Sequence, residues 1–203
     1  MAKSLTRSAP VGAALLAAGM MVGAAAHAAD APQWTVDLAL SKITFTGRQM
    51  DVPSKGRFKT FSARVRFDPG NLAASAVDVV IDPASADTGN PDMDAELKRP
   101  NWFAVERFRE ARFFSTALRG KGGNDYEAAA RLTIRDVTQE VVMPFKLDIG
   151  DDSADPGQLL ARASGDVTIS RTNYGIGQAE WSDTNIVGDD VGIHIDVVAR
   201  RKK

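Results

Sequence analysis

The side chains with the widest chemical reach are few and scattered in this chain. Of two histidines, only His194 lies beyond the N-terminal region. It alternates with Ile193 and Ile195, which places it on the polar side of a strand, where it reads as a solvated residue. The chain has no cysteine, so thiol nucleophiles and the usual zinc clusters are excluded. Asp183, Asp189 and Asp190 carry oxygens suited to calcium, but they lack the alternating spacing of a ligand loop and read as a solvated turn. Gly175-Ile176-Gly177, after Tyr174, reads as a turn, and neither a G-x-S-x-G elbow nor a phosphate-binding glycine loop occurs. Asp92, Asp94 and Glu96 fit the acidic first turn of a helix. The predicted catalytic and metal-binding residues are therefore none. Acid–base chemistry through Tyr126, Tyr174 or a buried carboxylate stands only as a rival reading.

The elements that would position any site are strands. Phe61, Ala63, Val65 and Phe67 alternate with Ser62, Arg64, Arg66 and Asp68. Val141, Met143, Phe145, Leu147 and Ile149 follow the same rule, as do Val191, Ile193, Ile195, Val197 and Ala199. Period two gives each strand one apolar and one polar face. Two apolar faces are built largely of small residues: Tyr126-Ala128-Ala130-Leu132-Ile134 and Ala161-Ala163-Gly165-Val167-Ile169. A sheet that curls around small inward side chains cannot fill its own interior. The pattern predicts an apolar container.

Strands are expected over 41–50, 55–67, 76–82, 111–118, 126–134, 141–149, 160–170 and 187–200, with a first edge segment at 34–38. Turns are expected at 51–54 and at Asp68-Pro69-Gly70-Asn71. Phe58 and Phe61 cannot both point inward without a bulge near Lys59-Thr60. About eight antiparallel strands separated by turns predict an all-β sandwich or closed barrel. One segment departs from this rhythm. Asn90 as cap, Pro91 at the first helical position and the acids that follow predict a short helix that Pro100 stops. Its exit delivers Trp102 and Phe103, either to plug a barrel end or to line the mouth of a cavity.

Lys3 and Arg7, the apolar run from Val11 to Ala26 and the Ala26-His27-Ala28 site have the form of a secretory signal peptide. Residues 1–28 are expected to be removed, leaving 29–203 as a single exported domain. The run falls short of the roughly 20 residues a membrane helix needs. The formal net charge is −1, and losing Lys3 and Arg7 makes the mature chain more acidic. There is no basic stripe for nucleic acid. Densely charged polar faces, and too few strands for a water-filled pore, favour a soluble barrel over an outer-membrane one.

Several blocks recur in order along the chain. They are Trp34-Thr35-Val36-Asp37, Ser41-Lys42-Ile43-Thr44-Phe45, Gly56-Arg57-Phe58 and Phe67-Asp68-Pro69. Glu96-Leu97-Lys98-Arg99 follows with Trp102-Phe103, then Phe108-Arg109-Glu110-Ala111-Arg112-Phe113. The last are Leu132-Thr133-Ile134-Arg135-Asp136-Val137-Thr138 and Ile169-Ser170-Arg171-Thr172-Asn173-Tyr174-Gly175-Ile176. As an ordered set they resemble the YceI-like family of lipid- and polyisoprenoid-binding proteins. That resemblance implies a closed, antiparallel, eight-stranded, lipocalin-like barrel with one short helix crossing near an end. It implies a periplasmic protein holding a polyisoprenoid or an isoprenoid quinone, and a cytochrome-b-type membrane protein as partner. It brings no catalytic motif and no further cofactor. The chain departs from the family pattern at Ala95-Glu96, where a His or Asp often precedes the helix leucine, and at Arg109, which replaces a proline.

The expected lumen lining is Phe45, Phe61, Val65, Val79, Phe103, Phe113, Ala130, Leu132, Met143, Phe145, Ala163, Val167, Ile193 and Ile195. The phase of the strands leaves almost no ionisable residue facing the lumen. The function expected is binding of a hydrophobic lipid for storage, transport or protection. The alternatives are an enzyme acting on a lipid-like substrate inside the barrel, or a stress-response protein with an incidental cavity.

Overall fold

Period-two runs rich in Val, Ile, Phe and Thr form one antiparallel sheet in the computed structural model, which describes residues 30–203. The signal-peptide reading of residues 1–28 lies outside the described residues. The strands are β1 (Gln33–Val36), β2 (Lys42–Gln49), β3 (Val52–Phe58), β4 (Phe61–Arg66), β5 (Ala76–Ile81) and β6 (Ala86–Asp87). Helix α1 (Pro91–Leu97) follows, then β7 (Ala111–Gly122), β8 (Asp125–Ile134), β9 (Val137–Asp151), β10 (Gln158–Ser170) and β11 (Asp190–Lys202).

The first six segments are three strands, each broken in the middle. β11 pairs with β2 through Gly192–Asp196 and with β1 through Ala199 and Arg200, so β1 and β2 occupy one barrel position. Likewise β3 and β4 form a second position and β5 and β6 a third. With β7 to β11 they make an eight-stranded, closed, antiparallel barrel. The segment read as an edge at 34–38 is therefore no edge, because β1 is paired on both sides and closes the ring.

Each break has a local cause. The Asp37 carboxylate accepts from the backbone N–H groups of Ala39 and Leu40, both at 3.2 Å, turning the chain out between β1 and β2. The phase conflict at Lys59-Thr60 is resolved by interrupting the strand, and Thr60 N donates to Ser85 Oγ at 3.0 Å. Asp82 accepts from Ala84 N at 2.8 Å and Pro83 opens a single helical turn between β5 and β6. The first hairpin turn falls at Met50-Asp51 rather than over 51–54, and β3 already begins at Val52.

Helix α1 starts as its sequence indicates. Asn90 Oδ1 accepts from Asp92 N at 3.0 Å and Met93 N at 3.3 Å, and Pro91 occupies the first turn. The lower end of the barrel is closed by aromatic packing. The Trp34 indole donates to Phe67 O at 3.0 Å, and Phe67 meets the Tyr126 ring edge-on at 5.5 Å. Burial of Phe67 alone contributes roughly 1.5–3 kcal/mol. The outer face carries ion pairs, including Asp78 with Arg112 at 2.7 Å and with Arg64 at 3.1 Å. Charge outside and apolar side chains inside is the reverse of a lipid-facing barrel.

Candidate functional site

The barrel interior holds two adjoining cavities. The lower one has a volume of about 160 Å³ and the upper one about 410 Å³. Ile43, Ile81, Leu132 and Ile193 line both, forming a shared waist. Of the residues expected to line a lumen, Phe61, Val65, Val79, Phe113 and Met143 border the lower cavity. Phe145, Ala163, Val167 and Ile195 do so as well. Phe45 and Phe103 border the upper cavity, and Leu132 and Ile193 lie at the waist.

Ala130 borders neither. It is 2% exposed and faces Ser115 and Val141 across its neighbouring strands. β7 slips register beside it, between Ser115 and Ala117, and the Ser115 hydroxyl accepts from Val77 N at 2.8 Å. Ala130 packs into the apolar core beside this bulge.

The upper cavity arises from strand divergence rather than from small side chains. β6 pairs only with β3, while β7 pairs with β5 from Ala111 onward. The resulting gap is covered by α1, whose Met93 and Leu97 join Trp102 and Phe103 in the wall. Both halves of the helix-exit reading apply, since these aromatics cover the barrel end and line the cavity. Phe45, Phe58 and Phe103 form an aromatic row, with centroid separations of 5.2 and 5.9 Å. Gly56 makes room for it, because a Cβ there would fall within the Phe45 ring.

The opposite wall comes from the segment between β10 and β11, including Ile176, Trp181 and Val187. It is organised by Arg171, which is 2% exposed. Its Nε donates to Gly188 O at 3.0 Å, and Nη1 to Ile176 O and Gly177 O at 2.8 and 3.0 Å. Nη2 donates to Trp181 O and Val187 O at 2.9 and 2.7 Å. All five guanidinium donors are thereby used. Burial lowers the pKa of Arg171, yet a guanidinium stays charged in proteins. Sequence phase left almost no ionisable residue facing the lumen, but Arg48, Asp92, Glu96 and Arg171 all border the upper cavity. These residues sit at a strand tip, on a helix and in a loop, where alternation carries no information.

Tyr174, Tyr126, Asp189 and His194 each make contacts that hold the fold. Burial raises the hydroxyl pKa of Tyr174, and Tyr126 stacks on Phe145 at 5.5 Å. Asp189 is a loop clamp rather than part of a solvated turn. It accepts from Ser170 Oγ at 2.6 Å, from Thr172 Oγ1 at 2.8 Å and from Thr172 N at 3.0 Å. His194 is on the outer face, but it is paired rather than merely solvated. Its Nδ1 lies 2.8 Å from Asp166 and its Nε2 3.3 Å from Asp196. Among the described residues, no cluster of three or more His, Asp or Glu side chains is placed to hold a metal ion.

Residues 34–199 match the YceI-like domain. The chain is 31% identical over 188 residues to a UPF0312 protein of Vibrio cholerae, covering 91% of this chain and 95% of that one. Among solved structures it resembles Burkholderia cenocepacia BcnA, with a TM-score of 0.73 and 35% identity over 80% of this chain and 98% of the other. A polyisoprenoid binding domain from Saccharophagus degradans, implicated in plant cell wall breakdown, shares the fold at a TM-score of 0.61 and 14% identity. That likeness covers 84% of this chain and 98% of the other. The domain match spans nearly the whole barrel, and the chain belongs to the YceI-like family.

Proposed function

We propose that this protein is an exported lipid-binding protein that shelters a long apolar chain, such as a polyisoprenoid or the tail of an isoprenoid quinone, inside its barrel. The observation that carries this reading is the pair of largely apolar cavities that adjoin at a common waist of Ile43, Ile81, Leu132 and Ile193. A linear chain threading that waist would lie against side chains from all eight positions of the barrel. Each buried methylene stabilises the complex by roughly 0.8 kcal/mol, so length alone provides affinity. The Saccharophagus domain that shares this fold is described as polyisoprenoid binding, which agrees with the same ligand class.

Binding rather than catalysis is favoured by the state of the polar groups around the upper cavity. Arg171 has every donor engaged with backbone, and Glu96 accepts from the Trp181 indole at 3.1 Å and pairs with Arg99 at 3.2 Å. The basic start, apolar run and Ala26-His27-Ala28 site support export to the periplasm, and a quinone cargo would suit a cytochrome-b-type membrane partner. Mass analysis of lipid extracted from gently purified, exported protein tests the reading. A stoichiometric long-chain isoprenoid is the expected result. Protein that carries none, and takes up none when a long-chain quinone is added, would sink it.

A further inference from the structure

Three large apolar side chains stand together in solvent at the rim of the upper cavity. Met50, Val52 and Ile186 are 69%, 66% and 41% exposed. Met50 N donates to Ile186 O at 2.8 Å, and Gln49 forms a bridge with Val187. Gln49 and Val187 themselves line the cavity, so the patch is continuous with its mouth. Met50 and Asp51 form a two-residue hairpin turn with φ of +46° and +62°, where Asn-Gly would be the relaxed choice. An apolar residue held in the open, in a conformation that costs energy, points to a contact made there.

The charges around the tip indicate what makes that contact. Arg48 and Lys55 are exposed on the same hairpin and meet no carboxylate within ion-pair distance among the described residues. Arg57 is paired with Asp87 at 3.0 Å, and Asp51 is the acid of the tip. Asp183 adjoins the patch as well, its carbonyl accepting from Ile186 N at 3.1 Å, while Asp92 on α1 and Glu180 on the loop are exposed acids beside the cavity. We propose that the β2–β3 tip, with Ile186, docks the mouth of the cavity onto a lipid bilayer that carries anionic headgroups. Met50, Val52 and Ile186 enter the boundary between headgroups and acyl chains, while Arg48 and Lys55 meet lipid phosphates.

This inference rests on the lipid-binding reading. Every methylene exposed to water lowers partitioning roughly fourfold, so a long chain has to pass directly from membrane to cavity.

Flotation of the exported protein with phosphatidylcholine vesicles, with and without phosphatidylglycerol, tests it. The double variant Met50→Asn with Val52→Thr removes the apolar tip yet suits the turn and the strand, so the fold is kept. Wild type is expected to float with the anionic vesicles and to release as salt rises. The double variant should lose roughly tenfold in bound fraction. Lys55→Glu should lose binding to anionic vesicles only. Wild type that ignores both vesicle types would overturn the proposal, as would a double variant that floats like wild type. So would a wild-type dimer that the double variant abolishes, since a second copy would then cover the patch. Lipid content measured in parallel separates the two readings. Lipid-loaded protein that ignores vesicles defeats docking alone, whereas lipid-free protein that floats supports docking and defeats the cargo reading.

Discussion

The indole Nε1 of Trp181 donates to Oε1 of Glu96 at 3.1 Å, joining the loop before β11 to helix α1. Both residues line the upper cavity, and the two segments form its facing walls. Trp102 packs against Trp181 at a centroid separation of 5.8 Å with the rings tilted by 52°, so the link is backed by packing. Under the lipid-binding proposal, a chain leaving between α1 and the loop would have to part this strap. Trp181→Phe keeps most of the ring area and deletes the donor. It should leave bound lipid in place but speed its exchange into acceptor vesicles several-fold, with a loss of stability of about 1 kcal/mol. An unchanged exchange rate would show that chain transfer does not require the strap to open.

Ala163 and Ala130 separate a lining residue from a core residue. Ala163 borders the lower cavity, whereas Ala130 is buried in the core beside the β7 bulge. Ala163→Phe should occupy the lower cavity, keep the Tm of the ligand-free protein and reduce lipid load. Ala130→Phe should overpack the core and cost typically 1–3 kcal/mol, without selective loss of binding in whatever remains folded. Equal behaviour of the two variants in thermal melts would contradict the placement of the cavity.

Strand phases were legible because period two is insensitive to small errors in strand ends. Val191 to Ala199 and Val141 to Ile149 needed only alternation, and the inward sides follow it. The volume was harder to read. Small residues such as Ala63, Ala128 and Ala161 do line the lower cavity, but Phe61, Phe113 and Phe145 fill much of the same space. The larger upper cavity depends on broken strands and on two long connections, and no periodicity marks where Arg171 or Trp181 will fold. A strand-local clue did exist at Lys59-Thr60, and its meaning was a break rather than a bulge. The slip in β7 is set by what Ser115 bonds to on β5, a partner far away in sequence.

His194 gives the outer face a pH dependence. Its pKa is raised chiefly by the hydrogen bond to Asp166; burial opposes this as the next-largest effect, and the charges of Asp166 and Asp196 add to the rise. A raised pKa in the fold means stability that is fully present below the unfolded value near 6.5 and lost as pH rises through the folded value. The imidazole is 40% exposed, so screening holds the effect below about 1 kcal/mol. His194→Gln should therefore lower Tm slightly at about pH 5.5 and match wild type above about pH 8.5. Lipid content should not change, since the ring is on the outside of the barrel. A Tm difference that grew with pH would reverse the assigned pairing.

Arg171 provides the most demanding test of how the upper wall is built. Its five donors reach five backbone carbonyls, those of Ile176, Gly177, Trp181, Val187 and Gly188, and no carboxylate touches it directly. A lysine at this position retains the charge but has only three donors on a single nitrogen. At least two buried carbonyls would then lack a partner, at about 1–3 kcal/mol each. Arg171→Lys should thus cost about 2–4 kcal/mol in urea unfolding, far more than a conservative change at an exposed site. Loosening should concentrate in residues 172–188, where limited proteolysis would cut the variant and spare wild type. Lipid should be lost with the wall, even in protein that remains folded at low temperature. If Arg171→Lys instead kept both wild-type stability and protease resistance, the loop would be held by its own turns, and the guanidinium would be a passenger in the cavity wall.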